Sequence, residues 1–327
     1  MSAADRGLSV SLPYWQDRDP LDALAVAEAA EKLGYRRLWI GEMATFDAFA
    51  LATAVGQAPG RMPLCLGPFA VDVRSPATLA MGVASVAALT GRRVDVAIGS
   101  SSTVVVHDWH GRERRRTAAH LADTAHILRG LLAGDKVDFA GTVERSTGYR
   151  LRLPPPPSSI AVAAFGAGAL AAAARTADRV VLNLVTPEQV SRCAELVREA
   201  AGGRPSPAVS VWVTAAARPT PDILATVRRG VVGYLRAPGY AAMFEEAGFG
   251  KIVRLARSGA HPRDVLAAVP DELPAAVGIF GDDLTLRRRL DAYRDAGADE
   301  IVVVPATSAD DPAGHRTLET LARIDRA

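Results

Sequence analysis

The stretch "IAVAAFGAGALAAAARTADRVVLN" (residues 160–183) contains one complete strand, helix and strand repeat. Short apolar runs at 160–163 and 179–182 predict two strands, and the alanine-rich segment between them, Ala169 to Thr176, predicts a helix. Gly166 and Gly168 stand in the turn that opens this helix. Because a helix is the usual connection between parallel strands, the stretch predicts one β/α unit.

The same alternation runs through the whole chain of 327 residues. Eight short apolar or β-branched runs predict strands: Leu8 to Leu12, Arg37 to Ile40, Leu64 to Phe69, Val94 to Ile98, Ile160 to Ala163, Arg179 to Leu182, Val209 to Thr214 and Ile301 to Val304. Besides the first, helices are predicted from Asp19-Pro20 to Gly34, from Ser75-Pro76 to Gly91, and at Thr117 to Leu132, Pro187 to Ala201, Pro221 to Leu235 and Asp283 to Ala296. Eight such units favour an α/β fold of the (β/α)8 TIM barrel type over an open doubly wound sheet.

Two connections are longer than a barrel requires. Residues 133–159 alternate as a hairpin does and end in four prolines, whereas residues 218–281 predict a helical insertion between strands 7 and 8, with helices at Tyr240 to Ala247 and Pro262 to Ala268. Long ordered insertions of this kind commonly form lids, substrate walls or subunit contacts. No linker marks a second domain, so we expect a single domain over residues 1–327.

Composition argues against several classes of partner. The net charge is +2 and 49% of the residues are apolar, which predicts a soluble globular protein without a nucleic-acid partner. No apolar run is long enough to span a membrane, and the N-terminal segment does not resemble an export signal. Cys65 and Cys193 have neither disulfide nor metal-ligand spacing, so we expect a cytoplasmic protein without a metal site.

The carboxyl ends of the strands form the active site in barrels of this type. Here they carry mostly small residues, which suit a flat ring and a phosphate better than a cluster of charged groups. The turn at Gly166, Ala167 and Gly168 fits a phosphate, because it exposes amide groups at a helix N-terminus. A simple packing turn is the alternative. The motif G-x-G-x-x-G is not completed, so a dinucleotide site is not indicated.

Polar and aromatic candidates follow several strands. Glu42, after the second strand, is the first candidate for a catalytic group, and an ion pair with Arg74 is its alternative role. His107 is a candidate proton donor, more than His110, although both also suit an exposed loop. The substrate side of the site is assigned to aromatic and apolar residues after the first two strands, which also suit loop packing: Tyr14, Trp15 and Met43.

Four segments together resemble the luciferase-like monooxygenase superfamily, in particular its branch of coenzyme F420-dependent oxidoreductases. They are "LGYRRLWIGEM" (33–43), "LGPFAVDVRSPATLAMGVASVAALTGRRVDVAIGSSS" (66–102), "VAAFGAGALAAAARTADRVVLNLVTPE" (162–188) and "DAYRDAGADEIVVVP" (291–305). The resemblance covers nearly the whole chain in the same order. It implies a (β/α)8 barrel with an insertion before the last strand, in agreement with the strand pattern.

The resemblance also implies a cofactor and its contacts. A deazaflavin or flavin ring is expected across the strand ends, with its phosphate at Gly166 to Gly168 and with Asn183 on the same rim. Ala70-Val71 matches the bulge beneath the ring, commonly a cis peptide not involving proline. Gly99-Ser100-Ser101 replaces the usual G-x-G, and its hydroxyls suit a ribityl chain or phosphate. Met43 replaces a frequent histidine and cannot take part in acid–base chemistry.

These features predict an oxidoreductase that transfers a hydride between C5 of coenzyme F420 and a small organic substrate, as a homodimer. An FMN-dependent monooxygenase is the nearest alternative, and a non-catalytic F420- or flavin-binding protein is an alternative of another class. The arginine-rich run Arg112 to Arg116 suits either a solvated face or the polyglutamate tail of F420.

Overall fold

The computed structural model describes residues 7–13, 18–154 and 156–326. Its strands are β1 (Gly7–Ser11), β2 (Leu38–Ile40), β3 (Leu64–Ala70), β4 (Val94–Gly99), β5 (Val137–Ala140), β6 (Arg145–Tyr149), β7 (Ile160–Ala163), β8 (Arg179–Asn183), β9 (Ala208–Ala217), β10 (Ile279–Gly281) and β11 (Glu300–Pro305). Its helices are α1 (Asp22–Lys32), α2 (Ala48–Gln57), α3 (Pro76–Thr90), α4 (Thr117–Leu132), α5 (Ala167–Thr176), α6 (Pro187–Ala201), α7 (Pro221–Val232), α8 (Pro238–Phe244), α9 (Gly250–Arg257), α10 (Pro262–Ala268), α11 (Glu272–Val277), α12 (Asp283–Asp295) and α13 (His315–Arg326). Two π-helical turns occupy Val104–Trp109 and Glu245–Phe249.

Eight parallel strands close into a ring. The order of neighbours is β1, β2, β3, β4, β7, β8, β9 and β11, and β11 pairs again with β1. Helices alternate with these strands along the chain, so the fold is the predicted (β/α)8 TIM barrel. All eight runs predicted as strands form the ring, and β10 pairs with β9 outside it.

Local signals explain where several helices begin and end. The hydroxyl of Ser75 accepts a hydrogen bond from the amide of Thr78 at the start of α3, and Gly91, with φ 67°, ends that helix as predicted. Helix α2 was absent from the predicted helices. It begins after Asp47, whose carboxylate accepts hydrogen bonds from the amides of Phe49 and Ala50.

The two long connections have the predicted character. Strands β5 and β6 form an antiparallel hairpin within residues 133–159. The insertion 218–281 lies between β9 and β11, the seventh and eighth strands of the ring, and contains helices α7 to α11 and β10. Its helices share an apolar cluster of their own that includes Leu235, Phe244, Val253 and Leu273.

Spatial contacts between residues divide the chain into two compact units. The hairpin-bearing unit comprises Arg36–Val181 and Glu195–Val209. The insertion-bearing unit comprises the residues up to Tyr35, Leu182–Ala194 and the residues from Ser210 onward. The single domain expected over residues 1–327 stays a prediction. Across the described ranges, no helix is both long enough and apolar enough to cross a membrane.

Candidate functional site

In the hairpin-bearing unit, the carboxyl end of β2 carries an ion pair. The carboxylate of Glu42 accepts two hydrogen bonds from Arg74, at 2.8 Å from Nε and 2.5 Å from Nη2. The same Nη2 also lies 2.5 Å from the carboxylate of Asp47. The ion pair considered as the alternative role of Glu42 is therefore present, and a catalytic role for Glu42 stays a prediction.

Arg74 is held by aromatic rings as well as by carboxylates. Its guanidinium carbon lies 5.1 Å from the centroid of the Phe49 ring and 5.7 Å from that of Phe69. The hydrogen bond to Glu42 is the main cause of a raised pKa for Arg74, and burial, which acts in the opposite direction, does not overcome it. The charged guanidinium therefore faces two carboxylates at this strand end.

The bulge of β3 does not lie where the resemblance implies. The register of β3 against β4 shifts between Leu66 and Phe69, and among the described residues the cis peptide bond is Gly67–Pro68. The expectation of a bulge with a cis peptide at Ala70-Val71 is therefore wrong. The backbone bends earlier because Gly67 has φ 110°, and a Cβ there would lie only 2.2 Å from the carbonyl oxygen of Ala97.

The backbone around Ala70 and Val71 is already paired within the protein. The amide of Val71 donates to the carbonyl of Gly99 at 3.0 Å, and the carbonyl of Ala70 accepts from the amides of Val73 and Arg74. The Val71 side chain is buried, whereas that of Ala70 is partly exposed. The Val71 amide and the Ala70 carbonyl therefore already have protein partners. A cofactor contact by Ala70 or Val71 stays a prediction.

The loop after β4 is close-packed and locally strained. A Cβ at Gly99 would lie 3.3 Å from the Cβ of Ala163, which favours glycine where β4 meets β7. Ser100 is partly exposed, and the exposed Ser101 has φ 53°, a conformation unusual for a residue other than glycine. The guanidinium of Arg114 donates to the Ser101 carbonyl at 2.8 Å. Such strain is commonly found at ligand sites.

Three of the predicted side chains are exposed. His107 lies in the π-helical turn after β4 with 66% of its side chain exposed, and its Nδ1 lies 2.9 Å from Asp108. Met43 is 45% exposed directly after Glu42. His110 is also exposed. Roles for these residues in proton transfer and substrate binding stay predictions, and Tyr14 and Trp15 lie outside the described residues.

The turn after β7 has the geometry of an open helix N-terminus. Gly166 precedes α5 with φ 75° and ψ 151°, and no side chain caps the helix. Residues 166 to 168 are exposed, and a Cβ at Gly166 or Gly168 would meet nothing within 4 Å. Because the first amides of a helix have no intrahelical acceptor, those of Ala167 and Gly168 are available to an anion.

In the insertion-bearing unit, Asn183 ends β8 and contacts the insertion. Its Nδ2 donates to the hydroxyl of Tyr240 at 3.1 Å, and the rings of Tyr240 and Tyr234 meet edge to face with centroids 4.7 Å apart. Burial raises the pKa of both tyrosines, so both hydroxyls stay protonated at neutral pH. A cofactor contact by Asn183 stays a prediction, and the two tyrosines that contact its amide were not predicted.

A buried cluster in the hairpin-bearing unit was also overlooked. His120 of α4 lies between Asp72, which follows β3, and Glu144 of the hairpin. The available signal was a histidine in line with Thr124, Ile127 and Leu131 on the buried face of a helix. Among the described residues, no group of histidine, cysteine, aspartate and glutamate could hold a metal ion.

The arrangement suits binding and orientation of a flat, phosphate-bearing molecule. The hairpin-bearing unit brings to its strand ends an uncapped helix N-terminus, a strained serine loop and an arginine paired with two carboxylates. None of these groups is a strong nucleophile, so the difficult chemistry is expected to reside in a bound cofactor.

Comparisons with known proteins identify the family of the chain. The sequence profile described as luciferase-like monooxygenase matches residues 8–300. A Mycobacterium tuberculosis protein, provisionally named a coenzyme F420-dependent oxidoreductase, is 25% identical over 93% of this chain and 96% of its own length.

Two solved structures share the fold. The coenzyme F420 dependent tetrahydromethanopterin reductase of Methanopyrus kandleri is similar with a TM-score of 0.82 at 17% identity, covering 97% of each chain. An F420-dependent secondary alcohol dehydrogenase in complex with an F420-acetone adduct is similar with a TM-score of 0.80 at 17% identity, covering 98% of this chain and 99% of that one. At this identity the likeness establishes the fold alone.

Proposed function

Because this chain belongs to the luciferase-like monooxygenase family, whose members are oxidoreductases, we propose that it is a coenzyme F420-dependent oxidoreductase. It transfers a hydride between C5 of the deazaflavin and a small organic substrate. The observation that carries the proposal is the open turn of Gly166 to Gly168, which offers free amides and no side chain to an incoming phosphate. The names of similar proteins support F420 as the cofactor.

The residues at the strand ends fit such a cofactor. The amides of the α5 N-terminus bind its phosphate, and the hydroxyls of the loop after β4 bind its ribityl chain. When bound in its reduced form, F420 would supply the hydride from C5, and the protein would hold ring and substrate face to face. The proposed cofactor-binding residues are Ala70, Val71, Gly99, Ser100, Ser101, Gly166, Ala167, Gly168 and Asn183.

Proton delivery is assigned to Glu42 or His107. Glu42 shares its carboxylate with Arg74, so proton transfer at Oε1 or Oε2 requires that one of these hydrogen bonds lengthen. The exposed His107 side chain is accessible to solvent, which can supply its proton. Met43, Tyr14 and Trp15 are proposed to line the substrate side.

A pair of titrations tests the cofactor. Purified protein is titrated with F420 and with FMN, and the fluorescence of each ligand is followed. We expect saturable binding of F420. Binding of FMN without F420 would support the flavin monooxygenase alternative instead, and F420 binding without hydride loss to any acceptor would support a carrier.

A substitution tests the phosphate turn. Gly168→Leu places its side chain in open space, so the protein should fold, but the side chain obstructs the approach to the α5 amides. Loss of about one charge-assisted hydrogen bond predicts about tenfold weaker F420 binding. Gly230→Leu is the matched control, because its Cβ also meets nothing and it lies within α7. Equal affinity of the two folded variants would contradict the placement.

The proposal includes a homodimer. Helices α2 and α3 contain no charged residue, and α3 exposes Met81 by 50% and Leu89 by 65%. A second copy of this chain would cover this apolar surface. Sedimentation equilibrium should show a dimer that Met81→Glu with Leu89→Glu dissociates, whereas Leu284→Glu on α12 leaves it intact. A monomeric wild type would contradict the dimer.

We place the enzyme in the cytoplasm. Cys193 is buried and forms no disulfide. A cysteine outside any disulfide is usual in a reducing compartment, and this supports the assignment.

A further inference from the structure

His120 lies between two carboxylates that come from different parts of the hairpin-bearing unit. Its Nδ1 is 3.0 Å from Oδ1 of Asp72, at the carboxyl end of β3, and its Nε2 is 2.8 Å from Oε1 of Glu144, in the turn between β5 and β6. The side chains of His120 and Asp72 are 5% and 3% exposed, and that of Glu144 is 23% exposed. The ring therefore links the hairpin to the strand end inside the protein.

The geometry requires a proton on each ring nitrogen if both contacts are hydrogen bonds to carboxylates. A ring with a single N–H donates to one carboxylate and turns a lone pair toward the other. A doubly protonated ring satisfies both, and a buried cation between two anions is paired on each side. The other oxygen of Asp72, Oδ2, is buried and has no hydrogen-bond partner within the described ranges, so this carboxylate depends strongly on His120.

Asp72 in turn holds the segment that follows the π-helical turn. Its Oδ1 accepts a hydrogen bond from the backbone amide of Arg115 at 3.3 Å. One residue earlier, Arg114 reaches the carbonyl of Ser101 in the strained loop after β4. Arg116 then adopts φ 42° before α4 begins. The exposed segment Arg112–Arg116 is thereby tied to the strand ends at two points.

We propose that His120, in its doubly protonated form, is a positioning residue that orders the arginine-bearing segment Arg112–Arg116 against the ends of β3 and β4. It acts through Asp72, whose carboxylate it orients, and the carboxylate of Glu144 contacts the other ring nitrogen. The segment then presents its guanidinium groups to an anionic part of a bound ligand. Only this last step rests on the proposed function.

Limited proteolysis tests the ordering directly. Trypsin cleaves after arginine, and the run Arg112–Arg116 is exposed, so its order controls how fast it is cut. We expect His120→Gln to be cleaved in this segment about tenfold faster than wild type. The matched control is His126→Gln on the same helix, because His126 stacks on Phe139 of the same hairpin at 4.3 Å but is exposed. Equal cleavage of the two variants would overturn the proposal.

Two further readouts separate positioning from general stability. Side-chain 15N spectra of the wild type at neutral pH should show both nitrogens of His120 protonated, and a neutral ring would contradict the charged form. Glu144→Gln is the substitute variant if His120→Gln fails to fold, because it changes a partly exposed side chain. It should also speed cleavage at Arg112–Arg116. Unchanged cleavage in a folded Glu144→Gln protein would contradict the link to the hairpin.

A further experiment uses F420 itself as the ligand. His120→Gln should raise the KM for F420 about tenfold with little change in kcat, whereas His126→Gln should change neither. Equal loss of kcat in both variants would contradict positioning. If wild-type protein does not bind F420, the proposed function fails, and the proteolysis and 15N results still decide the role of His120.

Discussion

The ion pair between Glu42 and Arg74 should couple the ends of β2 and β3 energetically. Two charge-assisted hydrogen bonds join side chains that are each 21% exposed. A fully exposed pair contributes about 0.2–1 kcal/mol, and breaking a fully buried one costs about 3–5 kcal/mol. For a pair that is one-fifth exposed we expect a coupling energy of about 1.5 kcal/mol.

A double-mutant cycle isolates this coupling. Urea unfolding gives the free energy of unfolding for wild type, Glu42→Ala, Arg74→Ala and the double variant. Arg74→Ala also loses its packing on Phe49 and Phe69. That loss is the same whether Glu42 is present or replaced, so it cancels in the coupling energy. Additive losses, with a coupling below about 0.3 kcal/mol, would refute the view that the ion pair joins the two strand ends.

Two further predictions concern single side chains. Burial raises the pKa of Asp47, but its hydrogen bonds, from the amide of Ala50 and from Arg74 foremost, lower it overall. Its charge therefore stabilises the fold above the unfolded pKa of about 3.9, and this contribution is lost as the pH falls below it. Asp47→Asn keeps the helix cap, so its difference from wild type in urea unfolding should shrink in acid; a constant difference would contradict the assignment. Tyr293→Phe should cost about 1–2 kcal/mol in urea unfolding, because the buried Tyr293 hydroxyl donates to the carbonyl of Val185 at 2.9 Å, and unchanged stability would argue against that bond.

Much of the barrel was predictable from the sequence. Its strands are buried by the surrounding helices, so they read as short apolar runs, and capping residues such as Ser75 and Gly91 mark the helix ends. Helix α2 escaped prediction because the exposed side of "AFALATAVGQ" carries no charged residue, so little in the sequence separates it from the buried side. The bulge of β3 depends on a close approach of Gly67 to the backbone of β4, which no local pattern encodes.

Some parts of the candidate site were likewise predictable from the sequence, and others were not. Active sites of barrels lie at the carboxyl ends of the strands, so Glu42, Gly166 and Asn183 became candidates from their position alone, and their roles stay predictions. The contact of His120 with Asp72 joins residues 48 positions apart, and a single buried histidine in a helix gives no indication of its partner. The tyrosines that contact Asn183 come from the insertion. The insertion lies outside the repeating strand and helix pattern of the barrel, so that pattern does not predict where its side chains lie.

A crystal structure of the protein with F420 bound would locate the cofactor phosphate. We expect it at the N-terminus of α5, with its oxygens about 3 Å from the amides of Ala167 and Gly168. A phosphate bound at another turn of the barrel, with these amides left to solvent, would contradict that expectation.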